Sequence, residues 1–235
     1  MASIATNLAC RVAAVALTAA LAVTGGATAQ LAASGAVVAC GAPDPYLRLS
    51  GDLDHTENLV AHRQPVRILV LASSDVPEAS LQVALKRRMP GIRFEVDSVL
   101  SAGLVEDDAR SLRTITAQTD PDLVVWQVGV RDALAASDVE EFGDTLDRAS
   151  EWVEDAGSDL LLIDPPFVPK VRHESIYGPY IAEIEATAKA ERVPLIRRYA
   201  FTRFLSERPS RGAPYVDQAP CTLDLMAEAI SRSIR

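Results

Sequence analysis

The sequence predicts an α/β fold, a three-layer α/β/α sandwich on a five-stranded, mostly parallel sheet. Two observations carry that expectation. Runs with strand character alternate with amphipathic stretches from Val66 to the C-terminus, the pattern of strands joined by crossover helices. The run Val66 to Ser73 is β-branched and apolar with a small-residue end, as in a parallel strand buried on both faces.

Each element follows from its residues. Asn58 to Pro65 reads as a polar approach, and Val66 to Ser73 as a buried strand that ends in small residues. Asp75-Val76-Pro77-Glu78 is a capping box with an early proline, and it opens a helix through Leu81, Leu85 and Met89 that Pro90-Gly91 stops. Phe94 to Val99 is the second strand, Glu106 to Ala117 the second helix and Leu123 to Val128 the third strand. Ser137-Asp138-Val139-Glu140 is a second capping box, heading a helix with Phe142, Leu146, Ala149 and Val153 on one face. Asp159 to Ile163 is the fourth strand, closed by Asp164-Pro165-Pro166. Tyr177, Ile181, Ile184 and Ala188 mark a further helical face, Val193 to Ile196 a short fifth strand, and Leu223, Ala227, Ile230 and Ile234 the stripe of a final helix.

Composition excludes several classes of function. With 49% hydrophobic and 23% charged residues the chain can bury a core and is not a disordered or fibrous protein. Its 23 Lys plus Arg face 32 Asp plus Glu, and no basic run offers a phosphate-binding stripe, so no nucleic-acid partner is expected. Three cysteines and three histidines, with no C-x-x-C or H-x-x-x-H pair, supply no metal site, and nothing calls for a cofactor.

Residues 1–29 read as a secretory signal peptide. They hold no acidic residue, Arg11 stands before the uncharged run Val12 to Val23, and Ala27-Thr28-Ala29 is an A-x-A cleavage site. The run is rich in Ala, Thr and Gly and lacks a stop-transfer flank, so no stable membrane span is expected after processing. Cleavage after Ala29 leaves 22 basic and 32 acidic residues, a net charge of -10, and two cysteines. The expected organisation is a signal peptide over 1–29, an N-terminal arm over 30–64 and one α/β domain over 65–235, exported from the cell or to a periplasm. Two readings of Cys40 stand. In an oxidising space it pairs with Cys221; alternatively Val37-Val38-Ala39-Cys40 resembles a lipobox whose cysteine carries a lipid anchor. Gly25, Gly26, Gln30, Ser34 and Gly35 interrupt the apolar segment that a lipobox requires, so the disulfide ranks first.

In parallel sheets chemistry sits beyond the C-terminal strand ends, where strand order reverses. Those ends carry Ala72-Ser73-Ser74-Asp75, Ser101-Ala102-Gly103 and Gly129-Val130-Arg131-Asp132. The order of these blocks, with the approach Pro121-Asp122-Leu123-Val124-Val125-Trp126-Gln127-Val128-Gly129, resembles the SGNH (GDSL-type) hydrolases of secreted bacterial type from Val66 onward. The resemblance implies a flavodoxin-like SGNH fold. It puts Ser74 in the nucleophile's place, Gly103 as an oxyanion-hole N–H and Arg131 where the family has an oxyanion asparagine. It also implies a cysteine pair flanking the domain, like Cys40 and Cys221.

The family's last block, D-x-x-H, falls on Arg211 to Cys221, which contains no histidine. Asp217 stands as the remaining acid, or Ala213 occupies the histidine's position. His173, in the connection leaving strand four, is the candidate relocated base. Simpler readings stand beside these: Ser73, Ser74 and Asp75 suit a βα turn with an N-cap, Arg131 and Asp132 a surface ion pair, and His173 a solvated position among Lys170, Arg172 and Glu174.

Three functions compete. The first is a secreted SGNH-like protein of ester-hydrolase ancestry with weak or no esterase activity, holding a small acyl ester or carboxylate. The second is an active acyl or acetyl ester hydrolase with a rearranged base, and the third a non-catalytic binding or scaffold protein. Fold alone does not establish activity.

Overall fold

The computed structural model describes residues 40–72, 78–101, 103–167, 173–207 and 218–235. The strands are β1 (Val66–Ala72), β2 (Phe94–Leu100), β3 (Leu123–Gln127), β4 (Asp159–Ile163) and β5 (Leu195–Ile196). They form one sheet in the order β2-β1-β3-β4-β5 with every pair parallel. Strand order therefore reverses between β1 and β3, which places the crevice at their C-terminal ends.

Both faces of the sheet are covered at β1 and β3, whereas the edge strand β2 alternates, with Phe94 and Val96 buried and Glu95 and Asp97 exposed. Val66, Ile68, Val70 and Ala72 pack into one core and Leu69 and Leu71 into the other. The first core is closed by α3 (Glu78–Arg88), α9 (Arg198–Glu207) and α10 (Gln218–Ser233), through residues such as Leu81, Leu85, Phe201 and Ile230. The second is closed by α4 (Val105–Thr119), α6 (Val139–Asp155) and α8 (Gly178–Ala190), which contribute Leu112, Phe142, Leu146 and Ile184 around a fully buried Trp126.

Several boundaries move for identifiable reasons. The α6 cap is Asp138 and not Ser137; its carboxylate accepts from the Glu140 and Glu141 N–H groups, both at 3.0 Å. In β5, Val193 and Pro194 stay outside the ladder, since proline has no N–H to donate, although the Pro194 carbonyl still accepts from Leu162 N–H at 2.9 Å. Short helices α5 (Val130–Ala135) and α7 (His173–Ile176) lie in connections.

The stretch before β1 is partly helical, as α1 (Asp44–Leu47) and α2 (Asp54–Ala61), and not a polar approach. Polar anchors hold α2. Asp159, the first residue of β4, accepts from the His55 N–H at 3.3 Å and the Thr56 N–H at 2.8 Å, satisfying amide groups that a helix start leaves unpaired. Asp122 receives the Arg67 N–H at 2.7 Å and faces the His55 ring at 3.4 Å. Burial alone would raise the Asp122 carboxyl, but these donors outweigh it and hold the group below the usual carboxylate range.

Cys40 and Cys221 are disulfide-bonded, 181 residues apart in sequence, and both are buried. The bond ties the arm to the start of α10. Arg88 of α3 binds Asp224 and Glu228, so α10 is held at a second point. Among the described residues no helix is long and apolar enough to cross a membrane.

Candidate functional site

Strands β2, β1 and β3 are neighbours in the sheet, so their C-terminal ends lie side by side. Ser74, the candidate nucleophile after β1, lies outside the described residues, as do Asp217 and Ala213 of the last block. The β2 and β3 connections are described, and there Gly103 and Arg131 line one small pocket with Ser101, Asp108, Gly129 and Asp132.

Two carboxylates to which the sequence reading gives no role in the site, Asp108 and Asp132, hold this pocket together. Asp132 is buried, and its Oδ1 accepts from the Val105 N–H at 3.0 Å, pinning the β2–α4 connection to the β3–α5 turn. It therefore points inward, and among the described residues no ion pair joins it to the exposed Arg131. Asp108, on the buried face of α4, accepts from the Ser101 hydroxyl at 2.6 Å, and Ser101 N–H donates to the Ala72 carbonyl at 2.8 Å. Gly103 is thus bracketed on both sides. An added Cβ there would overlap Asp107, with the Asp107 Oδ2 only 2.8 Å away. Close approach, and not a positive φ, accounts for this glycine. Gly129 is different: its φ of +83° is one that side-chain-bearing residues avoid.

The electrostatics of the pocket follow from its burial. Desolvation pushes the Asp108 carboxyl above the usual range, and the Asp132 charge adds to it. The Ser101 hydroxyl, the nearby Trp126 N–H and the Arg131 charge pull it back without overcoming burial. The Trp126 N–H makes no hydrogen bond of normal geometry. Asp132 is likewise raised by burial, against its backbone donors. Arg131 is exposed and lines the same pocket as these two buried carboxylates.

A second buried network runs beneath the ends of β3, β4 and β5. Arg198 donates from Nε to the Asp164 carbonyl at 3.1 Å and from Nη1 to Gln127 Oε1 at 3.0 Å. Asp164 Oδ1 accepts from the Tyr199 N–H at 2.8 Å. Burial raises the Asp164 carboxyl to about 7 despite Tyr199 and Arg198, and lowers Arg198 to about 10 despite Asp164. Gln127 also lines the pocket above, so this network underlies the floor of the site.

No described histidine ring reaches these strand ends. His55 faces Asp122 at the opposite end of the sheet, and His62 bonds the Asn58 carbonyl at 2.8 Å within its own helix. His173 begins α7 in the connection from β4. Among the described residues no group of three or more His, Cys, Asp or Glu is placed to hold a metal ion. The arrangement thus offers hydrogen-bond donors and one exposed positive charge.

The phase of Asp108 was the one available signal for the inward carboxylates. Val105, Asp108, Ala109, Leu112 and Thr116 share the buried face of α4 at helical spacing. In the run Glu106-Asp107-Asp108, however, all three acids suit a helix first turn.

Comparison with known proteins agrees with this architecture. Solved structures with the same fold include an acetylxylan esterase from Geobacillus stearothermophilus (TM-score 0.57, 17% identity, covering 72% of this chain and 94% of that one). Another is the lipase/acylhydrolase from Enterococcus faecalis (TM-score 0.56, 17% identity, 72% and 95%), and a third is TesA (TM-score 0.55, 16% identity, 72% and 98%). The fold expected from the strand-end blocks is therefore the fold observed, that of SGNH-type hydrolases. No curated protein matches the chain. The model of the non-GDSL lipase-like family matches residues 39–234, nearly the whole described body, and the chain belongs to that family.

Proposed function

We propose that the protein is an exported SGNH-type hydrolase relative that holds a small carboxylate or acyl-containing ligand at its strand-end cleft and cleaves esters poorly or not at all. The observation that carries this reading is the residue set at the cleft. Arg131, which the family resemblance sets where an asparagine would stand, lines the pocket, and His55 and His62 lie elsewhere in the fold. Serine without a base at hydrogen-bond distance is a weak nucleophile, and loss of a triad member leaves roughly 10³–10⁴-fold acceleration over water. Losing one oxyanion donor costs about another 10²–10³-fold. An arginine offers a planar fork of donors that stays charged at ordinary pH and suits a carboxylate. The net charge of -10 after processing opposes anions at long range, so binding comes from local geometry and is modest.

Purified protein assayed on short-chain aryl esters should turn over no faster than its Ser74→Ala variant. Robust turnover that vanishes in Ser74→Ala would overturn the reading. One observation supports an active hydrolase as the second reading: His173 begins α7, in the connection that follows β4. In that case His173→Ala should abolish the same activity.

Export is part of the proposal. It is supported by the composition of residues 1–29 and by the disulfide, which oxidising compartments preserve. Intact mass of exported protein should place the N-terminus at Gln30 with Cys40 bonded to Cys221. A diacylglyceryl adduct on Cys40 would replace this with the anchored form.

A further inference from the structure

Helices α4 and α6 pack against one another, and between their later turns lies an open groove of about 260 Å³. Its lining shares no residue with the small pocket at the strand ends. Leu112 and Val153, both almost fully buried, give it an apolar floor together with Ala109 and Ala149. Arg113 and Trp152 line it as a stacked pair, with the guanidinium carbon 4.9 Å from the centre of the indole ring.

One polar group in this lining has no partner. Elsewhere on the two helices, Ser111, Thr114, Thr119, Thr145 and Ser150 each donate to the carbonyl four residues earlier, at 2.8–3.1 Å. Thr116 does not. It is only 5% exposed, and among the described residues its hydroxyl has no hydrogen-bond partner. A buried hydroxyl gives up its bonds to water, so an orphan of this kind calls for a group that the free chain does not supply. The back-bond is one of two rotamer choices open to a helical threonine. Thr116 leaves it unused, which keeps its hydroxyl for what enters between the helices.

The lining selects the chemistry of the occupant. A floor of leucine, valine and alanine with a single unpaired hydroxyl suits an apolar body bearing one polar substituent. A sugar would leave most of its hydroxyls without partners there. The guanidinium stacked on Trp152 extends a flat surface on which an aromatic ring can lie. The exposed Arg113 and Asp155 bring opposite charges to the rim, so a charged ligand gains little from them. The volume falls just below the range of about 300–1,000 Å³ usual for sites of drug-sized ligands, which leaves room for one ring.

We propose that the α4–α6 groove is a second binding site, separate from the strand-end cleft, for a small neutral aromatic molecule with one hydroxyl group, a phenol in chemical class. Its ring lies against the Arg113–Trp152 pair and the apolar floor, and its hydroxyl is the partner of Thr116.

The test is titration of the purified full chain with p-cresol and toluene, which differ only in the hydroxyl. Binding is read by calorimetry and by the emission of Trp152, the half-buried one of the two tryptophans. p-Cresol should bind about five-fold more tightly than toluene, the worth of one neutral hydrogen bond. Thr116→Val keeps the volume and removes the hydroxyl, so it should bring the two ligands to equal affinity. Because the hydroxyl is unpaired in the free chain, this variant should melt no lower than wild type. Ala117→Leu, at an exposed position in the lining, should fill the space and exclude both rings. Excess acetate, a ligand for the strand-end cleft, should leave p-cresol binding unchanged.

No binding of either ring overturns the proposal, as do equal affinities in wild type or a preference for p-cresol that survives in Thr116→Val. Binding that ignores Ala117→Leu, or that acetate displaces, places the ring elsewhere and overturns it as well. Binding of glucose in place of p-cresol would make the groove a sugar site and reject the phenol. A Thr116→Val variant that melts several degrees below wild type would show that the hydroxyl already has a partner, and the site would lose its polar anchor.

Discussion

Replacing Cys40 and Cys221 together by alanine is expected to lower stability by about 5 kcal/mol. The bond closes a span of 181 residues, and the chain-entropy model assigns a loop of that size a value near the top of its range. For a domain of this length each kcal/mol corresponds to roughly 2–4 °C, so the midpoint of thermal unfolding should fall by about 10–20 °C. Both cysteines are buried in the core shared by α10 and the arm, so the single variants should lose most of the same stability. Thermal melts of wild type with reductant should superimpose on those of the double variant. A shift under about 3 °C would mean that the polar seat of α2 on Asp159 holds the arm without the bond.

The second large effect concerns Arg198. Substitution by methionine preserves much of the volume but removes the donors to Gln127 Oε1 and the Asp164 carbonyl. It also removes the positive neighbour that restrains the Asp164 carboxyl. Breaking a buried charged network by deleting one member costs about 3–5 kcal/mol. The cost has a pH signature. The folded-state pKa of Asp164, about 7, exceeds its unfolded value of 3.8, so the folded chain binds more protons between those values. Its contribution to stability is fully present below about pH 4 and is lost as pH rises through about 7. In Arg198→Met the charged carboxylate has no counter-ion, so urea unfolding should show a larger loss at pH 8 than at pH 5. Asp164→Asn should remove this pH dependence. Equal and small losses at both pH values would reduce the network to packing alone.

The regular body of the fold was legible because its signals are local and apolar. Strand boundaries at Leu123, Asp159 and Ile163 agree with the sequence reading, as does the α6 face of Phe142, Leu146, Ala149 and Val153. What was not legible depends on partners far along the chain. Helix α2 buries only Thr56 and carries no apolar stripe; its reason to be helical lies at Asp159, about a hundred residues away. Helix α9 opens with Arg198, a residue type that sequence reading assigns to solvent, yet here it is buried against Gln127 and Asp164. At the site, the order of blocks singles out Gly103 and Arg131, and both line the described pocket. The inward turns of Asp108 and Asp132 were hidden, since a charged residue beside a turn reads as exposed until its donor is known.

The seat of the arm beneath the sheet also sets a timetable. The arm is made early, but its partners come late: Asp122 and Asp159 follow by tens to about a hundred residues, and Cys221 follows Cys40 by 181. At about 5–20 residues per second, Cys40 emerges roughly 10–40 s before the thiol it will join. For that interval the nascent chain carries an unclosed cysteine, and α2 finds its seat on Asp122 and Asp159 before the covalent tie can form.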